Sequence, residues 1–484
     1  MKLRLISLVL LCSLLAACGE QAAQTQASVT DAQAQEGDAA VAETEEEARY
    51  ELPGLDFEGR EFAMLVATNY CQSLVPEENG EVLNDAKYAM GRTVEEALHV
   101  KIRETDIDLY SIVAQAQSLV MAGDTSYNSI AMMDRFAIES AKKGYYVPLQ
   151  KISSISLSKP YWGGKLSDQL SIGKNYFFAV SAMNLRTLRT TACVLMNTRL
   201  AADYGLTVPY DDVMDGSWTF EKMTSAGEIA CADVNGDGVM DAGDSYTYVP
   251  GDIRRIQTQM LIGFGTRCLE KDDSDIPYLA LYGNERYIDQ IAKIHDLFLS
   301  GANDLSNALS YDTFSANGLI FQEGRALYNI CEFQHIEALR EMQDDFAVLV
   351  MPKYDDSQAE YHSRTFDATY HMVPVTEADP EFAGAVLDAL SCVGYHDMVP
   401  VFLETVLKDK LSRDERSKEC IQLAFDTRMI DLGESLLYDK IMGTDVYKRL
   451  TKSADQAVSM LEKSRKSSEK TLEKLITAFT GDLA

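Results

Sequence analysis

From Glu61 to Thr68 the sequence EFAMLVAT is a compact apolar run, the pattern of a strand buried on both faces. Apolar residues from Asn84 to Val100 recur at helical spacing, and Ile102–Ile107 alternates like a second strand. Ile112–Ala122 reads as a helix followed by Gly123, and Asn128–Met133 as a third strand ending in Asp134 and Arg135. Ala137–Lys143 is helical until Gly144 stops it. Strand and helix alternating in this way predict a mostly parallel sheet with helices on both faces. Ligands in such sheets sit at the carboxyl ends of the strands, which directs attention to the loops at 68–71 and 133–136.

Two further strands, Tyr176–Val180 and Ala192–Met196, are joined through Ser181–Thr191. An interrupted helical region fills 217–340, including a helix over Phe220–Ala230, and Phe346–Met351 is again a strand. The pattern turns extended over Phe366–Val375, helical over Pro380–Val393, and almost entirely helical from about Val401. Ala457–Phe479 is amphipathic, with Leu461, Leu472, Leu475, Ile476 and Phe479 on one side, which fits a helix packed on a lobe. A single core stops growing at roughly 250–300 residues. The 484 residues here therefore predict at least two lobes.

The amino terminus changes the picture. Residues 1–18, MKLRLISLVLLCSLLAAC, carry Lys2 and Arg4 before an apolar run too short to span a bilayer, the form of a secretory signal. Its end, Leu15-Ala16-Ala17-Cys18, resembles the bacterial lipobox, in which the Cys becomes the lipidated first residue. The other reading is an ordinary signal peptide with a chance Cys. Residues 19–50, rich in Ala, Gln, Glu and Thr, lack the large apolar side chains needed to offset ordering entropy, and read as a flexible tether. The expectation is an exported chain anchored by lipid to the outer face of the cell membrane, or facing a periplasm.

Charge narrows the partners. With 44 Lys and Arg against 75 Asp and Glu, the net charge is −31, which repels nucleic-acid phosphates and argues against a nucleic-acid partner. Beyond Cys12 and Cys18 the cysteines (Cys71, Cys193, Cys231, Cys268, Cys331, Cys392, Cys420) are scattered without a CxxC pair, and read mostly as small buried hydrophobes.

One stretch fits the calcium-loop template. In DVNGDGVMDAGD, Asp233, Asn235, Asp237, Asp241 and Asp244 fall at loop positions 1, 3, 5, 9 and 12, with Gly238 at 6 and the Val239 carbonyl at 7. Such oxygen donors suit a hard cation, so a structural Ca2+ is expected; an Asx-rich turn without metal is the alternative. Asp at position 12 in place of Glu implies modest affinity. The extended Tyr246–Val249 after the loop points to a dockerin-like or isolated structural loop. Enzyme signatures are missing: there is no HExxH, GxSxG or Walker loop, and the six His show no i, i+4 pair. The reading is a binding protein rather than an enzyme.

Several segments together resemble a known family. LNDAKYAMGRTVEE from Leu83, MAGDTSYNSI from Met121, NTRLAADYG from Asn197 with GSWTFE from Gly216, FQEGRALY from Phe321 and DFAVLVMPKY from Asp345 resemble, in this order, the bacterial extracellular solute-binding proteins of family 1. These are the lipoprotein receptors of ABC importers. The resemblance implies an α/β, two-lobed periplasmic-binding-protein-like fold of type II, each lobe a mostly parallel sheet flanked by helices and joined by a hinge. It implies a signal at 1–17, the lipidated Cys and tether at 18–50, lobe 1 over 51–183, lobe 2 over 184–365 with the loop 233–244, a return to lobe 1 over 366–395, and a helical segment at 396–484 packed mainly on lobe 2. Crossovers near 181–191 and 365–370 would close the lobes on a solute and deliver it to permease subunits, the receptor acting as a monomer.

For the solute, a carbohydrate and in particular an oligosaccharide leads. Asp134 and Arg135 resemble the Asp-Arg pair of maltose-type receptors, and a local ion pair is the other reading. Tyr70, Phe264, Phe333, Tyr370 and Trp162 are candidate ring platforms, each equally a core residue. Arg186 and Arg189 keep a charged metabolite or a peptide open, and a surface-anchored glycan hydrolase is a third, more distant possibility.

Overall fold

The computed structural model describes residues 50–71, 73–308, 316–408, 414–438, 440 and 454–481, with the side chains of 69, 70, 316, 317, 406–408, 454–458 and 460 outside the description. The signal, the lipobox with Cys18 and the tether up to Arg49 lie outside the described residues, as does the side chain of Tyr70.

Two four-stranded sheets organise the body. The first contains β1 (Arg60–Val66), β2 (Val100–Asp106), β3 (Ser129–Met133) and β11 (Thr369–Met372), in the order β11-β3-β1-β2. The pairs of β1 with β2 and β3 are parallel, and β11 runs antiparallel to β3, with His371 opposite Ala131. The second contains β4 (Ala192–Asn197), β5 (Tyr246–Pro250), β8 (Ala326–Glu332) and β9 (Phe346–Leu349), in the order β5-β8-β4-β9. Here β5 and β8 are parallel while β4 is antiparallel to β8 and β9. Two small pairs complete the strands, β6 (Leu269–Lys271) with β7 (Pro277–Leu279) and β10 (Ser363–Arg364) with β12 (Arg428–Met429).

The strand interiors explain the apolar runs. β3, β4 and β8 are buried along their whole length, because helices cover both faces. The helices used below are α1 (Val82–Leu98), α2 (Ile112–Ala122), α3 (Asp134–Ala141), α4 (Glu285–Leu299), α5 (Pro380–Val393), α6 (Leu432–Leu436) and α7 (Ala454–Thr480). α5 begins with Pro380 in its first turn, where the missing N–H costs nothing, and the Asp379 side chain accepts from the N–H of Phe382. It packs on α1, and the Phe382 ring meets Phe57 edge-on at 4.8 Å. The stretch Pro380–Thr405 is long and apolar enough to cross a membrane, yet most of it is buried within the protein.

Two sequence expectations give way here. Tyr176–Val180 forms no regular strand and contributes only the isolated bridge of Ala179 to His371. The helical reading of 217–340 misses β5–β8, and the helix expected over Phe220–Ala230 ends at Thr224, before a turn with Gly227 at φ 56°. β8 gains its partners from far away in sequence, Cys193 lying opposite Cys331, so its local pattern does not announce a strand.

The chain crosses between the sheets twice, and the crossings are tied together. Thr190 Oγ1 lies 2.9 Å from Thr365 Oγ1, which also donates to the Thr187 carbonyl at 2.8 Å. Asn184 Nδ2 donates to the Cys71 carbonyl at 2.7 Å. A third tie is made by α7, which lies along α4 and β7 while its end reaches the first lobe. Phe479 there sits 4.7 Å from Phe177 and 5.7 Å from Phe178, and its carbonyl accepts from Asn175 Nδ2 at 3.0 Å.

Candidate ligand site

Parallel strands place their carboxyl ends on one edge. In the first sheet β1, β2 and β3 deliver Ala67–Cys71, Ile107–Ser111 and Asp134–Phe136 to the same edge. In the second, β5 and β8 deliver Gly251–Arg255 and Phe333–His335. Gly251 is required for that arrangement, since a Cβ there would meet Cys331 Cβ at 2.6 Å.

The two edges meet in a network of ion pairs. Arg364 is fully buried, grips Glu434 with Nε at 2.9 Å from Oε2, and approaches Glu332 at 3.4 Å. Arg255 contacts Asp367 at 2.5 Å, Asp252 at 3.4 Å and Glu332 at 3.7 Å. Arg186, on the first crossover, reaches Asp367 at 3.4 Å, and Arg254 makes two 2.9 Å bonds to Asp252. Asp367 holds a left-handed backbone, φ 52°, which an aspartate adopts at a cost met here by its arginine partners. Burial alone would raise its carboxyl pKa, but Arg255 and Arg186 hold it below the usual range. Asp134 behaves oppositely: burial, then the charge of Asp367, pushes it up to about 7.

Beside the network runs a ladder of rings and guanidinium groups. Tyr110, after β2, is 71 % exposed and meets Phe136 edge-on at 5.9 Å. Arg135 lies 5.0 Å from the Phe136 ring and 5.3 Å from the Tyr438 ring. Tyr438 stacks on Phe366 at 6.0 Å and 12°, and Arg364 and Arg255 stand over Phe366 at 4.5 and 5.5 Å. The ladder thus links the end of β3, the residues after α6 and the second crossover. Its exposed end offers ring faces, and its buried end is charged, so it suits a solute with both C–H faces and polar groups.

Of the predicted residues, Asp134 and Arg135 reach this region. Asp134 is buried, accepting from the Arg135 N–H at 2.6 Å and from the Ser435 hydroxyl at 2.6 Å, so it ties lobe 1 to α6 rather than facing solvent. Four ring platforms are corrected to core residues. Trp162 is wholly buried with its N–H on Asp388 at 2.7 Å, and Phe264 packs edge-on against Phe220 at 5.2 Å. Phe333 is wholly buried at the turn after β8, and Tyr370 stacks on Phe178 at 4.8 Å inside the first sheet. Each is at most 1 % exposed, so packing leaves no ring face open. Tyr110, Phe136, Phe366 and Tyr438 were missed. Tyr110 and Phe136 follow strand ends and were accessible to that rule, whereas Tyr438 reaches the site only through the packing of α6 on α3.

The loop of Asp233–Asp244 lies on the second lobe, ahead of β5. Asp233 accepts from the N–H groups of Gly236 at 2.7 Å and Gly238 at 2.8 Å, both at positive φ. The Asn235 and Asp237 side chains accept from the N–H of Asp237 and Val239, and Asp241 from Gly243. Asp244, wholly buried, accepts from Val234 and Asp241. Its carboxyl is held below the usual range, chiefly by the Asp241 N–H. Among the described residues no three His, Cys, Asp or Glu side chains stand together as a metal cage.

No family profile matches the chain, and no curated protein does. Solved structures match through their fold. The chain is similar to a cyclo/maltodextrin-binding protein complexed with maltotetraose, at 12 % identity and a TM-score of 0.57, over 86 % of this chain and 97 % of that one. It is similar to the cyclic alpha-maltosyl-1,6-maltose binding protein from Arthrobacter globiformis, at 14 % and 0.57, over 87 % and 100 %. A third is an ABC transporter solute binding protein from Agrobacterium radiobacter in complex with ribitol, at 10 % and 0.53, over 85 % and 99 %. The chain therefore has the two-lobed α/β fold of periplasmic binding proteins.

Proposed function

We propose that this chain is a family 1 type solute-binding receptor of an ABC importer, exported and lipid-anchored through Cys18, which captures an oligosaccharide by hinge closure and hands it to a membrane permease. The observation that carries the reading is the ladder of Tyr110, Phe136, Arg135, Tyr438 and Phe366, placed at strand ends on a fold shared with sugar-binding receptors. Tyr110 and Phe136 supply ring faces for pyranose C–H groups, and the arginines supply donors for hydroxyls. Closure needs a ligand that contacts both lobes better in the closed state than in the open one. The protein acts by binding, not turnover.

Titration calorimetry of the full chain against neutral and charged oligosaccharides, peptides and amino acids tests this. Stoichiometric binding of a glycan without new products upholds it. Binding of peptides alone moves the same receptor to another solute, and product release on long incubation makes it a hydrolase. For the anchor, Cys18→Ala releases the protein from cell membranes, whereas an unchanged membrane fraction refutes lipidation.

We also propose that the loop of Asp233, Asn235, Asp237, Val239, Asp241 and Asp244 takes a structural Ca2+. The order and chemistry of its oxygen donors support this, the carboxylates now bonding loop N–H groups. The ion would fix the start of β5, whose far end carries Arg254 and Arg255. Extracellular calcium modules bind at roughly 10⁻⁴–10⁻³ M. A rise in melting temperature saturating in that range, absent in Asp233→Asn, upholds the site; no shift up to about 10 mM refutes it.

A further inference from the structure

We propose that the oligosaccharide carries an acidic group, a carboxylate or sulfate, and that Arg135 is the side chain that reads it. The inference rests on the receptor function above and narrows its substrate class.

The charges of the cleft can be paired off. Arg186 and Arg255 engage Asp367, Arg254 engages Asp252, and Arg364 engages Glu434, with Glu332 shared between Arg255 and Arg364. Four arginines thus meet four carboxylates. Arg135 differs. Among the described residues its guanidinium has no ion-pair partner, and its buried Nε has no hydrogen-bond partner. Neighbouring Asp134 makes no ion pair with it, its two oxygens accepting from the Arg135 backbone N–H and the Ser435 hydroxyl. The rim carboxylates Asp106 and Asp108 accept from the backbone N–H groups of Thr68 and Tyr110.

Ring contacts on Phe136 and Tyr438 hold this guanidinium in place, with Nε buried, and leave its two terminal nitrogens as a planar fork, the geometry that suits carboxylate or sulfate. Closing the lobes on a neutral sugar would bury Arg135 without a counter-charge, which is unfavourable. An acidic sugar supplies that charge and completes the pairing. The surface as a whole, at −31, does not favour an anion, so recognition falls to this one side chain.

The test is calorimetry on the full chain with tetragalacturonate, a sulfated tetrasaccharide and neutral maltotetraose. Expected is a preference of about ten- to a hundredfold for one of the two acidic sugars over the neutral one at low salt, shrinking in 1 M NaCl. In Arg135→Gln that preference falls to about one, with Arg135→Lys between. Whichever acid binds identifies carboxylate or sulfate as the group. Equal binding of acidic and neutral sugars, or a preference that survives Arg135→Gln in a folded variant, overturns the inference and leaves the receptor intact. If Arg135→Gln does not fold, the salt dependence of the native chain decides, a salt-independent preference overturning it. Binding of none of the sugars overturns the inference, and the wider panel of oligosaccharides, peptides and amino acids then decides the receptor reading.

Discussion

His371 lies in β11 with both ring nitrogens buried and, among the described residues, without hydrogen-bond partners. Burial lowers its pKa to about 3, so the folded protein excludes a proton that the unfolded chain accepts below about 6.5. Stability that is full above pH 6.5 is therefore lost as the pH falls toward 3, at a slope approaching 1.4 kcal/mol per unit from this residue. His371→Phe should flatten the fall, read as melting temperature between pH 7 and 4. Arg364 is a different case, wholly buried and held by Glu434 and Glu332. Arg364→Met should cost about 3–5 kcal/mol in denaturant unfolding, because it leaves Glu434 buried and uncompensated, and adding Glu434→Leu should recover part of that loss. At this scale the sequence was partly legible. Asp134 and Arg135 were placed by the strand-end rule, but Trp162, Phe264, Phe333 and Tyr370 carry the same aromatic chemistry as the ladder, and only burial separates them.

Among the elements, those whose residues signal locally were recovered. The sequence pattern gives α2 as Ile112–Ala122 and α5 as Pro380–Val393, the same bounds that the structure has, because Gly123 and Pro380 punctuate them. β8 was lost within a helical reading, since its partners β4 and β5 lie far off in sequence. The π-helical turn Gly394–Met398 at the end of α5 was also invisible, for it answers to packing: a Cβ on Gly394 would stand 2.5 Å from the Ala182 carbonyl on the first crossover. Gly394→Ala should therefore cost about 1–3 kcal/mol, checked by urea unfolding, and disturb the crossover rather than the helix. At the other end of the chain, Phe479→Ala should cost about 3–5 kcal/mol by emptying the space between Phe177 and Phe178.

For the whole molecule, two crossovers and the α7 tie all join the lobes, so the proposed closure would have to carry Phe479 and its neighbours with it. Small-angle scattering should show the radius of gyration fall on adding the solute, and an unchanged radius would refute closure. The order of strands has a separate consequence, for the way the chain folds. All four strands of the second sheet lie between Ala192 and Leu349, whereas the first sheet waits for β11, beyond that entire stretch. Pairing His371 with Ala131 thus closes a very long loop, and contacts of high sequence separation form slowly. As the chain is synthesised from its amino end, the second sheet has all its strands while the first still lacks its edge strand and α5, although α7 joins the second lobe only later. Refolding should accordingly show a fast phase from the second sheet and a slower one from the first, with substitutions in β11 acting on the slower phase alone.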